Sequence, residues 1–378
     1  MVLKINFAKP IINNNALENI AKVIESGRLS HGPFIDQFES EFAKYTGSPG
    51  AVSVSSCTTG LNLCYSLCGV GPDSEVIVPA LTHVATAHAA AHLGAKVRFA
   101  DVNVDTGNID IDSALSLVNE KTVAVAVVHF LGNIVDVSEL ASRLKKINPA
   151  IKIIEDCAVA LGSRVDGTHV GLLGDYGCFS FYPSKHITTG EGGMIISKSV
   201  KLLEAARKHR SFGYTADLNE RKIPGLYDIC ALGYNYRMPE ISAAIGVSQM
   251  DNINELLAIR KRNYEYYEAS FGHAGYNFIN NSTLSGESIP FLFNLILSDK
   301  TARNDVLVRA LKDGVQLSVH YPIALNASMH YFKLTKDCCP NSEFLADRMV
   351  SLPTGPHISL DEADIVIDSI KRIVKCES

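Results

Sequence analysis

The chain reads as an α/β protein with a mostly parallel central sheet flanked by helices and a smaller C-terminal α+β domain. Three observations predict this. Short apolar, β-branched runs alternate with helical stretches through the first two thirds of the 378 residues, the pattern of strands joined by right-handed crossovers. The run TVAVAVVHF (122–130) is almost continuously apolar, as a strand covered on both faces must be. After about residue 250 the texture changes, which places a large domain at 1–250 and a small one at 251–378.

Taken in order, PFIDQFESEFAKY (33–45) sets Phe34, Phe38 and Phe42 on one helical face. AVSVSS (51–56) is a short strand, and 60–69 is a helix stopped by Gly69. EVIVPA (75–80) is a buried strand, 83–93 an Ala-rich helix, and KVRFADV (96–102) the next strand. Residues 136–147 are helical, and IKIIED (151–156) is a strand ending in two carboxylates. GCFSFY (177–182) and GMIIS (193–197) are strands. A long charged helix begins near Met250, followed by a polar stretch (280–288), the strand IPFLFNLIL and the helix ARNDVLVRALKDG. There is no internal repeat and no low-complexity tract.

Apolar residues make up 47% and charged residues 20%, ordinary for a globular chain. The net charge of −5 offers no basic field for nucleic acid. No stretch has the apolar length of a membrane span, and the start MVLKINFAKP lacks the apolar core of a signal peptide. Nine cysteines without a CxxC pair read as reduced thiols of a cytoplasmic protein rather than disulfides or zinc ligands. His88 and His92 share helical spacing but have no third ligand nearby in sequence, so no metal site is assigned.

Three features stand in chain order at predicted strand ends, where open α/β sheets hold ligands. The first is Ser55-Ser56-Cys57-Thr58-Thr59-Gly60. Small and hydroxyl residues before a helix let backbone N–H groups approach a phosphate, although the same residues also serve as plain helix caps. The second is Glu155-Asp156, where a carboxylate at the sheet edge can pair with a cation held in the crevice. The third is the stretch 179–193, in which Lys185 lies between an aromatic strand and the glycines Gly190, Gly192 and Gly193. Apolar or uncharged neighbours favour burial, which lowers a lysine pKa and frees its amine for Schiff-base chemistry.

A phosphate cup, an Asp, and a Lys 29 residues later form the layout of fold-type I pyridoxal phosphate enzymes. The chain resembles, over nearly its whole length, the DegT/DnrJ/EryC/StrS family of pyridoxal phosphate-dependent sugar aminotransferases. The segments that carry the resemblance are SGRLSHGPFIDQFESEFAKYTG, VSSCTTGLNL, VPALTHVATAHAAAHLGAKVRFADV, the block from IEDCAVALG to YPSKHITTGEGGMI, LGYNYRMPEISAAIG and VHYPIAL. It implies that Lys185 forms the internal aldimine and carries the proton, and that Asp156 pairs with the pyridine nitrogen. It implies that Ser180 and the backbone at Cys57, Thr58 and Thr59 hold the phosphate, and that His83 stacks on the cofactor ring. It further implies that Asn235 reaches the phosphate from the other subunit of a homodimer with shared active sites. Arg28, His31, His186, Tyr236, Arg237 and His320 are the candidate substrate residues.

Two departures stand out. Val159 lies where the family commonly has Gln or His near the cofactor's ring oxygen. Cys57 lies where Gly is usual, which is tolerable only if its φ is negative. The reaction expected is amino transfer, with glutamate as donor, onto a nucleotide-linked keto sugar. The alternatives are a keto-sugar dehydratase of the same fold, which carries His at the lysine position, a cyclitol or small-ketone aminotransferase, and a non-catalytic regulator. Lys185 argues for transamination.

Overall fold

The computed structural model describes residues 4–215, 223, 225–280, 286–298 and 300–374. Two helices open the chain, α1 (Asn15–Ser26) and α2 (Pro33–Thr46). Then come β1 (Ala51–Val54), α3 (Cys57–Leu67), β2 (Glu75–Pro79), α4 (Val84–Ala91), β3 (Lys96–Ala100), α5 (Ile111–Ser116), β4 (Thr122–Val128), α6 (Val137–Ile147) and β5 (Lys152–Asp156). A small hairpin, β6 (Arg164–Val165) and β7 (Thr168–His169), precedes β8 (Tyr176–Ser180), β9 (Gly193–Ile196) and α7 (Val200–Arg210). The remainder holds α8 (Glu240–Met250), α9 (Ile253–Gly272), β10 (Gly286–Glu287), β11 (Phe293–Ile296), α10 (Lys300–Lys312), α11 (Pro340–Arg348), β12 (Met349–Leu352) and α12 (Leu360–Ile373).

Seven strands form one sheet in the order β1-β9-β8-β5-β4-β2-β3. β9 is antiparallel to both its neighbours, and the pairings from β8 through β3 are all parallel. β4 and β5 are central and covered on both faces, which is why 122–128 is apolar without alternation. One face packs on α3, α4 and α7 through Leu61, Tyr65, Ala89 and Leu203. The other packs on α2 and α8, with Phe38, Phe42 and Phe181 clustered between them. Each such buried ring contributes roughly 1.5–3 kcal/mol of hydrophobic free energy. α2 and α8 lie so close that a Cβ on Gly246 would sit 2.7 Å from the Phe38 ring. Their contact is also polar. Glu240, at the start of α8, accepts the N–H groups of Gly32, Phe34 and Ile35 and so caps α2 with a carboxylate from another helix.

The smaller core gathers α9, α10, α12, β11 and β12 around Tyr267, Phe271 and Phe293. It also takes in Ile5, which bridges to Val315. In return, Leu325, Tyr331 and Cys339 pack into the cluster under α3 and α4. The ends of the chain therefore share a core, and later residues help to wall the large sheet.

Several expected boundaries move. The helix expected at 60–69 starts at Cys57, because Ser56 and Thr59 form a reciprocal capping box. The helix expected from near Met250 is α9, which starts at Ile253, and a separate helix not read from the sequence, α8, ends at Met250 just before it. The strand expected at 289–297 is regular over Phe293–Ile296, where it pairs with β12. Within the expected polar stretch 280–288, residues 281–285 lie outside the described residues. Among the described residues no helix is long and apolar enough to cross a membrane, and their eight cysteines are free thiols.

Candidate active site

The parallel strands β4, β5 and β8 end at one edge, and a cavity of about 470 Å³ opens there. Asp156 is the last residue of β5 and is 4% exposed. Its carboxylate is held from two sides. Thr86 Oγ1 donates to Oδ2 at 2.8 Å, and the Ala158 N–H donates to Oδ1 at 3.1 Å. Thr86 is fully buried on α4, with the Thr82 hydroxyl 3.0 Å behind it.

Glu155, one residue earlier, points to the opposite face, as alternation along a strand requires. It is fully buried, takes the N–H groups of Gly171, Leu173 and Gly174, and lies 3.0 Å from His129 Nε2. His129 Nδ1 accepts the Val135 N–H, so the proton belongs on Nε2. His129, Glu155 and Cys157 bring ligand-type atoms together, but this histidine and carboxylate are already engaged in ordering backbone.

Cys57 and Thr58 begin α3 and line the cavity. As the first residues of a helix, their N–H groups have no intrahelical acceptor. Cys57 has helical rather than positive φ, which satisfies the condition for a residue in place of Gly. Burial pushes its thiol well up, with Asp156 adding to the effect. Thr59 does not line the cavity. Its N–H and hydroxyl are spent in the cap with Ser56, which corrects its assignment as a phosphate contact. Ser180, ending β8, does line the cavity. His83 has two structural roles here. Its Nδ1 accepts the Ala85 N–H as the cap of α4, and its ring lines the cavity against Tyr321 at 5.8 Å.

Lys185 follows a turn in which its N–H reaches the Tyr182 carbonyl. Its amine is shielded from water, and that desolvation pulls its pKa below the ordinary lysine value. Asp156 and Cys57 oppose the shift, while Arg260 adds to it. Gly193 lies against protein backbone rather than the cavity, since a Cβ there would be 2.7 Å from Cys57 N. It lets β9 seat beneath the start of α3.

Among the candidate substrate residues, His320 lines the cavity beside Tyr321. Burial lowers its pKa to about 3, so it is neutral, and its Nδ1 lies 3.1 Å from Ser351 Oγ. The others do not line this cavity. Arg28 is exposed after α1. His31 and Arg237 line a separate hollow near Arg207 and Arg210. Tyr236 stacks on Tyr234 and donates to Asn62 Oδ1 at 3.0 Å. His186 is 5% exposed and turned into a neighbouring cavity with Arg260. Asn235 is exposed and lies away from the cavity of its own chain. Val159 forms an apolar wall with Val128 and Ala158. Sequence reasoning missed Thr86 and Tyr321. Tyr321 was signalled by its place next to His320, whereas Thr86 carried no signal beyond lying one helical turn from His83.

The donor set fits pyridoxal phosphate. Free helix N–H groups and the Ser180 hydroxyl suit a phosphate, Asp156 suits a ring N–H, and Lys185 offers an amine between them.

Comparison with known proteins agrees. The DegT/DnrJ/EryC1/StrS aminotransferase family matches residues 10–371. The GDP-perosamine synthase of Caulobacter vibrioides is 32% identical, covering 98% of this chain and 98% of that protein. The spore coat polysaccharide biosynthesis protein SpsC of Bacillus subtilis is 31% identical, covering 98% and 97%. The PMP-form of the putative sugar aminotransferase Spr1654 from Streptococcus pneumoniae superposes with a TM-score of 0.91 at 27% identity, covering 98% of this chain and 99% of that one.

Proposed function

Since the chain belongs to the DegT/DnrJ/EryC1/StrS aminotransferase family, and is a pyridoxal phosphate-dependent transaminase, we propose that it transfers an amino group from glutamate to a nucleotide-linked keto sugar. The observation that carries this reading is the meeting of Lys185, Asp156, Thr58 and Ser180 in one cavity at the carboxyl edge of the sheet. The substrate class is supported by relatives named GDP-perosamine synthase and, from Campylobacter jejuni, UDP-4-amino-4,6-dideoxy-N-acetyl-beta-L-altrosamine transaminase.

When bound, pyridoxal phosphate supplies an electron sink for the charge left on a substrate carbon after loss of a proton. The chain supplies the rest. The N–H groups at Cys57 and Thr58 and the Ser180 hydroxyl bind the phosphate. Asp156, oriented by Thr86 and Ala158, would pair with the ring nitrogen. Lys185 would hold the cofactor through its amine and would carry the migrating proton on that same nitrogen. Desolvation lowers its pKa and so favours the free amine relative to an exposed lysine. Val128, Ala158 and Val159 line one wall with hydrocarbon and keep water from it.

We read the active unit as a homodimer in the cytoplasm. The segment ahead of Asn235 presents Leu226, Tyr227, Ile229 and Leu232 to solvent, the last 93% exposed. Such a patch suits burial against a second copy, with Asn235 then delivered to that copy's phosphate cup.

The test is 2-oxoglutarate release from glutamate by the purified enzyme, offered a panel of UDP- and GDP-linked 3- and 4-keto sugars. Release with at least one sugar, abolished in Lys185→His, is the expected result. Loss of water from a sugar without 2-oxoglutarate release would replace this reading with a dehydratase. Borohydride reduction followed by peptide mapping should place the cofactor on Lys185 and on no other lysine.

A further inference from the structure

Lys185 and Ser184 line a second cavity as well as the large one. It is small, about 20 Å³, and is closed by residues 7–11 of the N-terminal segment, by α9 and by the 355–357 turn. Its charge is one-sided. Lys9, Lys185, His186, Arg260 and His357 line it, and none of its lining residues is acidic.

Arg260 is the central oddity. It is 4% exposed, and the one hydrogen bond of its guanidinium among the described residues is Nη1 to the Phe291 carbonyl at 2.8 Å. Burial lowers its pKa to about 10, which still leaves it charged at neutral pH. The Phe291 ring receives both Arg260 (5.2 Å) and Lys185 Nζ (5.1 Å). A ring face attracts cations without neutralising them. Elsewhere the fold shows what a compensated buried arginine looks like. Arg210, 7% exposed, contacts Glu39 at 2.5 Å and also reaches Ser53. Among the described residues Arg260 has no such carboxylate. A second buried group is also unpartnered, since His186 Nε2 has no hydrogen-bond partner among the described residues. His357 is half engaged: its Nε2 is 3.0 Å from the Asn6 carbonyl, while its Nδ1 is likewise without a partner among the described residues.

A buried guanidinium without a counter-charge is expensive, and an unpaired imidazole nitrogen beside it adds to the demand. The geometry points to a compact monoanion, a halide or the end of a carboxylate, held between Arg260, His186 and Lys9. The volume exceeds the roughly 10–15 Å³ that one water needs, and leaves no room for a sugar or a nucleotide. Because Lys185 borders both cavities, an anion here acts on its charge. The groups bearing on Lys185 are Asp156 and Cys57, which favour its protonated form, and Arg260, which disfavours it. His83, His186 and His320 are each coupled to its charge. An anion beside Arg260 offsets that cation's repulsion, so the nitrogen at Lys185 becomes easier to protonate.

The inference rests on the assignment of Lys185 only for one of its two readouts. Holoenzyme is titrated with sodium bromide, sodium acetate or sodium glutarate at ionic strength held constant with a bulky sulfonate. The pH midpoint of the bound cofactor's visible band is followed in wild type and in Arg260→Met. The expected result is a saturable upward shift of about half a pH unit or more in wild type, absent in Arg260→Met. Bromide and acetate acting alike identify a free anion from solvent. Glutarate acting alone identifies the carboxylate of a larger acid reaching in from the main cavity. The second readout needs neither the variant nor the cofactor assignment: wild-type crystals soaked in bromide should show an anomalous peak in contact with Arg260. The absence of that peak in a protein whose band glutarate also leaves unshifted, or equal shifts in wild type and Arg260→Met, overturns the proposal.

Discussion

Asp156 is presented to the cavity by its neighbours more than by its own backbone. One carboxylate oxygen takes the buried Thr86 hydroxyl and the other takes the Ala158 N–H, so the group keeps its aim in a site that is otherwise apolar on the Val128–Val159 side. Replacing it by Asn preserves shape and removes the charge that holds the ring nitrogen's proton. Each pKa unit of that preference is worth about 1.4 kcal/mol, so Asp156→Asn should lower the amino-transfer rate by roughly a hundredfold or more. Cofactor should still bind through the phosphate cup and Lys185. Single-turnover loss of the cofactor's visible band on adding glutamate measures this, and a near wild-type rate would remove Asp156 from the ring-nitrogen role. The residues whose chemistry is local, Asp156, Lys185, Ser180 and the cup at Cys57–Thr58, were legible because strand ends and a strand-to-helix turn fix where their side chains go. His186, Tyr236 and Arg237 were not, because their facing depends on which of two walls a loop leans against. Arg260 was hidden for a related reason. It lies in the charged run IRKR, which reads as a solvated face, and only the packing of α9 beneath Phe291 shows that one of these charges is buried.

At the level of elements, the helix pair α2–α8 depends on one carboxylate. Glu240 is 1% exposed and accepts three N–H groups from the start of α2. Burial raises its pKa, and the backbone donors hold it back toward the ionised form. Glu240→Ala leaves those donors in a buried place without an acceptor, which costs about 1–3 kcal/mol. Urea unfolding should show a lower midpoint with an unchanged m-value. A variant within about 0.3 kcal/mol of wild type would mean that water takes over the cap. The strands β2, β3, β4, β5, β8 and β9 and the helices α2, α4 and α6 were readable because each bears an unbroken apolar run or a stripe at helical period. α12 carried a readable signal too, the Ser359–Glu362 capping box ahead of an amphipathic run, which passed unused. The β6–β7 hairpin was not readable. Its strands are two residues each and are ordered by pairing with β10, more than a hundred residues away.

For the whole molecule, the sheet order and the sharing of core between the two ends of the chain arise from tertiary packing, which periodicity does not report. The same packing sets how the fold meets acid. His169 and His320 are buried as neutral rings, each with a pKa lowered to about 3 chiefly by loss of water, and burial takes His186 well below its ordinary value. The unfolded chain, with histidine pKa values near 6.5, binds protons that the native fold refuses. With more protons on the unfolded state, stability rises with pH, so it must fall as pH drops below about 6.5 and keep falling toward 3. Each ring contributes a slope of up to about 1.4 kcal/mol per pH unit across that window. His169 lies away from the large cavity, where Nε2 accepts the Gly162 N–H and Nδ1 faces the Val170 carbonyl. His169→Gln should therefore lower stability at pH 7.5, yet lose stability less steeply on acidification. Urea midpoints taken between pH 7.5 and 5 should show a shallower slope than wild type. An unchanged slope would mean that His169 titrates normally and that the acid sensitivity of the fold lies elsewhere.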